Sequence, residues 1–314
     1  MEQKQTHNLT LYLAEPRGFC AGVRRAIAIV EQALSDFGAP VYVRHEIVHN
    51  KHVIEDLKAQ GVIFIDDFAE IEDKSRPVIF SAHGVPQSVE RHAQQLGLKT
   101  IDATCPLVAK VHRQIQKLQR QKMEIIVIGK PNHVEIIGTI GQVEDSSRVH
   151  IINSLEEAQQ LQLDSSQPIG FVTQTTLSVD DTQDIVKYLK AAYPTIETMR
   201  KDDICFATTN RQKAVKKMAP LSDVVIVIGS KNSSNSKQLK EVALKNGAKQ
   251  ALLIDDANEL DWEVLSHASS VGMTAGASAP EYLIEDLLYQ LRRHYDNINI
   301  MQCKVEYEKV DFKL

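Results

Sequence analysis

Three related segments follow one another along the chain, and this repetition constrains the fold more than any other feature of the sequence. Each segment opens on a cysteine, Cys20, Cys105 or Cys205. The residues after each cysteine combine basic positions with apolar positions at helical spacing, so each cysteine is predicted to stand at a helix N-terminus. A β-branched run comes next, PVYVR, EIIVIG or DVVIVIG, and such runs are typical of buried parallel strands.

The remainder of each segment repeats as well. A second predicted strand is GVIFIDD, RVHIINS or QALLIDD, and a third is PVIFSAHGVP, IGFVTQTTLS or SVGMTAGASAP. A helix and a last strand then lead to the next cysteine, in KTIDATC, TIETMRKDDIC and NINIMQC. This alternation predicts an α/β fold of three pseudo-threefold-related α/β lobes, with mostly parallel sheets around a central cavity. We expect lobes at 1–104, 105–203 and 204–300 and a C-terminal tail at 301–314.

Composition excludes several classes of protein. With 314 residues the chain is too long for one small core, and a net charge of −5 argues against a nucleic-acid-binding face. The polar N-terminus and the lack of a long apolar run predict a soluble, cytoplasmic protein without a membrane partner. The four scattered cysteines include no CxxC pair, so neither a disulfide framework nor a zinc ribbon is expected.

Polar side chains gather where the predicted strands end. Ligands of parallel sheets bind beyond the carboxyl ends of the strands, so we expect a binding site there. The candidate residues are His49, His83, His133, Glu135, Thr175, Ser233, Ser234, Asn235 and Ser278.

The three repeated cysteines are candidate metal ligands. A helix N-terminus favours the thiolate, which is the form that binds metals. A lone cysteine is more often a small buried hydrophobe, but three in equivalent positions favour ligands. Three thiolates suit zinc or an iron–sulfur cluster, and a cluster held by three would keep one iron open as a Lewis acid. Cys303 is interpreted as a non-ligand, because no helix follows it.

The loop GSKNSSNSK, residues 229–237, is rich in hydroxyl and amide donors and precedes a predicted helix. Such a loop suits a phosphate, although it lacks the Walker A pattern and a solvated turn is the alternative. In the string HVE, Glu135 could pass protons if a closed site raises its pKa, and Thr175 could add a hydroxyl relay. The remaining histidines are assigned surface or core roles: His45, His52, His92, His112, His150, His267 and His294.

Long strings of the sequence resemble the LytB family of 4-hydroxy-3-methylbut-2-enyl diphosphate reductases. The matching strings are FCAGVRRAI, VHN, SAHGV, DATCPLV, TQTTLSVDDT, KDDICFATTNRQ, GSKNSSNS and TAGASAP. The resemblance implies a three-lobed α/β fold around an oxygen-sensitive [4Fe–4S] cluster. It also implies the last step of the non-mevalonate isoprenoid pathway, which yields isopentenyl and dimethylallyl diphosphates, with ferredoxin or flavodoxin as electron donor.

The resemblance also implies roles for single residues. Cys20, Cys105 and Cys205 would hold one cluster with one open iron, Glu135 would supply protons, and Thr175 would assist through the substrate hydroxyl. The residues implied to bind the diphosphate are His49, His83, His133, Thr175, Ser233, Ser234, Asn235 and Ser278.

The sequence departs from the family pattern at two positions. Lys130 and Val134 stand where the family usually has a histidine and a proline. Lys130 is a cation but cannot shuttle protons near neutral pH as an imidazole can.

Three other readings stay open. The cysteines could serve a zinc hydrolase or lyase acting on a phosphorylated metabolite, or a non-catalytic iron–sulfur sensor. A nucleotide-binding Rossmann protein is disfavoured because no GxGxxG follows the first strand.

Overall fold

In the computed structural model, residues 8–197, 204–305 and 310–313 are described. They form twelve strands: β1 (Leu9–Glu15), β2 (Val41–Arg44), β3 (Val62–Ile65), β4 (Val78–Phe80), β5 (Thr100–Asp102), β6 (Glu124–Ile128), β7 (Val149–Ile152), β8 (Ile169–Thr173), β9 (Val224–Ile228), β10 (Gln250–Ile254), β11 (Ser270–Ala275) and β12 (Ile298–Lys304).

The same residues form ten α-helices: α1 (Ala21–Phe37), α2 (Lys51–Ala59), α3 (Gln87–Gln95), α4 (Pro106–Arg120), α5 (Val134–Ile140), α6 (Leu155–Gln160), α7 (Val179–Ala192), α8 (Phe206–Met218), α9 (Ser234–Lys245) and α10 (Glu281–His294). The predicted helices after Cys20, Cys105 and Cys205 are confirmed as α1, α4 and α8. Among the described residues, no helix has the length and apolar character needed to cross a membrane.

The strands build three sheets, and every pairing within them is parallel. Their orders are β10-β9-β11-β1-β12, β3-β2-β4-β5 and β7-β6-β8. The predicted α/β class with mostly parallel sheets is therefore confirmed. Most of the last strand predicted for the middle segment lies outside the described residues, but Glu197 forms a parallel bridge with Gly170 at the β8 edge.

The position of strand β1 in the five-stranded sheet differs from the prediction. β5 lies beside β4 and leads to Cys105, whereas β1 lies beside β11 and leads to Cys20. In the five-stranded sheet, β1 thus occupies the position that the repeat pattern predicted for the strand NINIMQC. That segment forms β12 instead, an additional strand that pairs with β1. The prediction that NINIMQC, which ends on Cys303, is equivalent to the strand KTIDATC is therefore wrong. Cys303 packs instead into an apolar core.

Contacts divide the chain into two compact units. The first unit comprises the described parts of Met1–Ala21, His49–Glu55 and Phe206–Val310, and contains the five-stranded sheet. The second unit comprises the described parts of Gly22–Val48, Asp56–Cys205 and Asp311–Leu314, and contains the other two sheets. The three-lobe boundaries at 1–104, 105–203 and 204–300 stay a prediction.

Alternation along the central strands explains why these sheets are buried on both faces. In β9, Ile226 and Ile228 face one apolar core while Val225 and Val227 face another. In β6 the same alternation sends Ile126 and Ile128 to one side, and Ile125 and Val127 to the other. Each fully buried side chain of this size contributes about 1.5–3 kcal/mol to folding. Helices must therefore cover both faces of each sheet, and their polar connections stay at the strand ends.

Helix α4 shows how the cysteine helices are specified. Pro106 occupies the first turn, where its missing N–H costs no hydrogen bond. Val108, Val111, Ile115 and Leu118 are buried, and their spacing of three and four residues places them on one face of the helix. The start of the helix, and hence the position of Cys105 before it, follows directly from this pattern.

Candidate functional site

The predicted site residues fall into the two compact units, and each group is described within its own unit. The first unit contains Cys20, His49, Ser233, Ser234, Asn235 and Ser278. The second unit contains His83, Cys105, His133, Glu135, Thr175 and Cys205.

In the first unit, Cys20 lies on a turn whose backbone is held by several hydrogen bonds. The Cys20 amide donates to the Ala277 carbonyl at 3.1 Å, and the Gly18 amide donates to the Ala275 carbonyl at 3.2 Å. The buried guanidinium of Arg211 donates to the Gly18 carbonyl at 2.7 Å through Nη2. Gly18 has a φ of +65°, which favours glycine. Cys20 itself is partly exposed, so the turn is fixed while its thiol stays accessible.

The Ala277 peptide connects this turn to the candidate phosphate-binding residues. Its N–H donates to Asn235 Oδ1 at 2.9 Å, while its carbonyl accepts from Cys20. The next residue, Ser278, donates from Oγ to the His49 carbonyl at 2.8 Å. The structure thus brings Cys20, His49, Asn235 and Ser278 together in one hydrogen-bonded loop cluster.

The predicted anion loop leads directly into helix α9. Ser233 caps this helix, accepting from the Ser236 amide, and Ser234 and Asn235 form its first turn. All three are buried. Because Asn235 Oδ1 is engaged by Ala277, its Nδ2 is the side that can donate, and in the described part of the chain it has no acceptor. A buried amide donor at the positive end of a twelve-residue helix suits an anion.

In the second unit, Glu135 is a buried carboxyl group with an altered acidity. Its side chain is 2% exposed, and it accepts from the Thr175 amide at 2.6 Å and from the Thr175 hydroxyl at 2.9 Å. Burial raises the pKa of Glu135 to about 7, while the two hydrogen bonds from Thr175 act in the opposite direction. The carboxyl can therefore exist in both protonation states near neutral pH. The structure brings the two candidate residues Glu135 and Thr175 into hydrogen-bond contact.

His133 lies two residues before Glu135 and contacts its amide, and the His83 ring lies near the His133 ring. His133 Nδ1 accepts from the Glu135 amide at 3.2 Å, so in the neutral ring the proton lies on Nε2, where it can be donated. The ring centroids of His83 and His133 are 6.1 Å apart at an angle of 81°. Two imidazoles at this separation can bind neighbouring oxygens of one anion.

Glycine contacts set the position of the His83 loop relative to helix α5. A Cβ added to Gly138 would lie 3.0 Å from the Gly84 carbonyl oxygen, so the helix and the loop are in backbone contact there. Gln142 Nε2 donates to the Val85 carbonyl at 2.7 Å, and the Gln87 amide donates to the Gly141 carbonyl at 3.0 Å.

His112 lies beneath the same loop. A Cβ on Gly84 would collide with its ring, and burial lowers the pKa of His112 to about 4. This neutral core histidine fits the structural role expected for it.

Cys105 and Cys205 are anchored as Cys20 is. The Cys105 amide donates to the Ala82 carbonyl at 2.9 Å, and the Cys205 amide donates to the Thr175 carbonyl at 3.1 Å. Both residues are partly exposed, in contrast to the buried Cys303. Partly exposed cysteines just before helices fit an iron–sulfur cofactor by the chemistry of their donor atoms. Within the described ranges, no three His, Cys, Asp or Glu side chains form a single-ion site.

At the two departures from the family pattern, the structure shows the backbone contact of Lys130 and the helix position of Val134. The Lys130 amide donates to Gln174 Oε1 at 3.0 Å, and Gln174 Nε2 donates to Thr176 Oγ1 at 3.0 Å. Val134 is the first residue of α5, a position that accepts proline or other residues without loss of a hydrogen bond.

Sequence reasoning missed the residues that position the site. Gly138, Gln142 and Arg211 act through contacts with distant segments, and nothing in their own sequence neighbourhood indicates those partners.

Comparisons with known proteins agree with the resemblance. The model of the LytB protein family matches residues 11–292. The 4-hydroxy-3-methylbut-2-enyl diphosphate reductase of Hyphomonas neptunium is 51% identical over 98% of this chain and 96% of its own. The enzyme of the same name from Ruegeria sp. is 49% identical with the same coverage.

Two solved structures are similar to this one. The structure of the E-1-hydroxy-2-methyl-but-2-enyl-4-diphosphate reductase from Plasmodium falciparum has a TM-score of 0.92 at 38% identity, covering 98% of this chain and 96% of that one. A structure of (E)-4-hydroxy-3-methyl-but-2-enyl diphosphate reductase, described as the terminal enzyme of the non-mevalonate pathway, has a TM-score of 0.64 at 32% identity. It covers 91% of this chain and 99% of that one.

Proposed function

Because the chain belongs to the LytB protein family, we propose that it reduces 4-hydroxy-3-methylbut-2-enyl diphosphate to isopentenyl diphosphate and dimethylallyl diphosphate. This reaction is the last step of the non-mevalonate isoprenoid pathway. The structural observation that carries the proposal is the buried Glu135 carboxyl bonded to Thr175, since the reaction needs an acid inside a closed site.

The reaction replaces the C–O bond of an allylic alcohol with a C–H bond. Two electrons and two protons enter, and the oxygen leaves as water. Hydroxide is a poor leaving group, so protonation of the departing oxygen is the task for a general acid. Glu135, with a pKa of about 7, holds a proton at neutral pH and can release it. The Thr175 hydroxyl lies 2.9 Å from the Glu135 carboxyl group. It would pass the proton from Glu135 to the hydroxyl of the substrate.

The residues proposed to bind the diphosphate are those that the resemblance implies: His49, His83, His133, Thr175, Ser233, Ser234, Asn235 and Ser278. The rings of His83 and His133 are 6.1 Å apart, and Ser233, Ser234 and Asn235 lie at the start of helix α9. Buried hydroxyl and amide donors bind an anion strongly because water does not compete for them. Holding the diphosphate fixes the alcohol relative to Glu135 and supplies proximity.

The family is one of iron–sulfur enzymes, and Cys20, Cys105 and Cys205 are the proposed ligands of one [4Fe–4S] cluster with one open iron. Their matching positions just before helices α1, α4 and α8 support this set, as does their partial exposure. When bound, the cluster supplies single electrons and a Lewis acid. The residues around it hold the substrate, exclude water and deliver protons. We propose ferredoxin or flavodoxin as the source of the electrons.

An anaerobic assay with a chemical reductant and the allylic diphosphate tests substrate, cofactor and reaction together. We expect both five-carbon diphosphates as products and a visible absorption that bleaches in air. A colourless, air-stable protein that contains zinc and forms neither reduced product would support the zinc hydrolase or lyase instead. A coloured protein that binds no diphosphate would support the non-catalytic sensor.

A further inference from the structure

Asn50 is a buried residue in which one of the two polar side-chain atoms, Oδ1, has a hydrogen-bond partner among the described residues. It is 1% exposed and immediately precedes helix α2. Its Oδ1 accepts from the Val53 amide at 3.1 Å, which caps the helix. This bond fixes the orientation of the amide, so the Nδ2 group can only serve as a donor.

The Asn50 Nδ2 group is buried and, among the residues that the structure describes, has no acceptor. Leaving a buried donor unsatisfied costs free energy, so such a group points to a missing partner. Capping does not explain the choice of asparagine, because aspartate or serine caps a helix about equally well. The helix cap therefore accounts for the Oδ1 atom of Asn50 but not for its Nδ2 group.

The backbone on both sides of Asn50 is tied to the loops of the proposed diphosphate site. Before it, the His49 carbonyl accepts from Ser278 Oγ at 2.8 Å. After it, the Lys51 amide donates to Ser230 Oγ at 3.0 Å, and Ser230 begins the loop that leads to Ser233. All of these residues belong to the first unit.

Asn235, in the same loop cluster, also has one side-chain atom with a partner and one without among the described residues. Its Oδ1 is engaged by a backbone amide, and its Nδ2 is buried without an acceptor among the described residues. Two buried amide donors with fixed orientation, neither of which has an acceptor in the part of the chain that the structure describes, match a ligand rich in acceptor oxygens.

We propose that Asn50 is a further substrate-binding residue, which donates from Nδ2 to a phosphate oxygen of the diphosphate alongside Asn235. The proposal rests on the proposed function for the identity of the ligand. It adds a donor from helix α2 to those of helix α9.

The test uses variants that separate capping from ligand binding. Asn50→Ser and Asn50→Asp both retain an oxygen for the Val53 amide, but neither has the amide donor. Asn50→Ala loses the cap as well. The matched control is Asp261→Asn, which makes an acid–amide exchange at the exposed cap of a short 3₁₀ helix. Each protein is prepared anaerobically with its cluster, and calorimetry measures the binding of inorganic pyrophosphate.

We expect Asn50→Ser to bind pyrophosphate about 10- to 100-fold more weakly, on the scale of one hydrogen bond to a charged group. Asn50→Asp should bind more weakly still, because it adds a negative charge. For the allylic diphosphate, KM should rise while kcat changes little, as for a contact equal in the ground and transition states. The melting temperature and visible spectrum should match the wild type, and only Asn50→Ala should melt earlier.

Wild-type pyrophosphate affinity and KM in Asn50→Ser would overturn the proposal. So would a loss of affinity that is accompanied by an earlier melting transition or an altered spectrum, since that indicates a structural role. Failure of the proposed function itself is distinguishable, because then the wild type and Asp261→Asn would also bind no pyrophosphate and turn over no substrate.

Discussion

Replacing Glu135 by Gln removes the titrating proton of this side chain, while the side chain keeps nearly the same size and shape. Gln can still accept from the Thr175 amide through Oε1, and the Thr175 hydroxyl can rotate to accept from Nε2. Both hydrogen bonds of the wild type therefore have a counterpart in the variant. The differences between the two proteins should arise from the proton of Glu135.

The magnitude follows from the acidity of the buried carboxyl. Burial raises the pKa of Glu135 from 4.5 to about 7, and this rise corresponds to about 3 kcal/mol, at 1.36 kcal/mol per tenfold change in acidity. Because the folded protein holds the proton more tightly than the unfolded chain, the contribution to stability is fully present below pH 4.5. It is lost as the pH rises towards about 7 and is absent above that.

Two measurements check this reasoning. Denaturant unfolding between pH 4 and 9 gives the free energy of unfolding for the wild type and for Glu135→Gln, and the wild type should lose about 3 kcal/mol relative to the variant across that range. Turnover of the allylic diphosphate should fall by about 10²- to 10⁴-fold in the variant, and the wild-type rate should decline above pH 7.

Parallel stability curves for the two proteins would show that Glu135 does not titrate with a raised pKa. Wild-type turnover in Glu135→Gln would remove the carboxyl from the reaction. A normal visible spectrum in the variant is the control that separates acid catalysis from cofactor loss.

The remaining predictions concern the cysteines and the glycine contact. Cys105→Ser should lose the visible chromophore and the activity. The control Cys303→Ala should keep both and lose about 1 kcal/mol of stability. An intact cluster in Cys105→Ser would contradict the role of Cys105 as a ligand. Gly138→Ala places a methyl group 3.0 Å from the Gly84 carbonyl oxygen, which should displace the His83 loop and raise KM about tenfold. Ile137→Ala, at an exposed neighbouring position, should leave KM unchanged, and an equal KM in all three proteins would contradict the positioning role.

Local patterns predicted the secondary structure because each element carries its own signal. The cysteine helices begin where the apolar spacing begins, and β6 and β9 are nearly continuous apolar runs. The neighbours of β1 could not be predicted in this way. Leu9 pairs with Ile298 and Thr10 with Ser270, and pairing between such distant segments depends on the whole sheet rather than on local sequence.

The same limit applies to the site. Glu135 and Thr175 were identifiable by chemical type and by their places at strand ends, and the structure joins them. The raised pKa of Glu135 depends on burial by the surrounding chain, which composition does not reveal. The unsatisfied donor of Asn50 becomes visible only when every hydrogen bond around it is known.

The place of β1 in the five-stranded sheet has a consequence for biosynthesis. During translation, Leu9–Glu15 leaves the ribosome well before its partners β11 and β12, because both partners lie much later in the chain. The two sheets of the second unit use only residues 41–173, so their strands can pair on the nascent chain. Strand β1 cannot pair with β11 and β12 until both of these later strands have been synthesised.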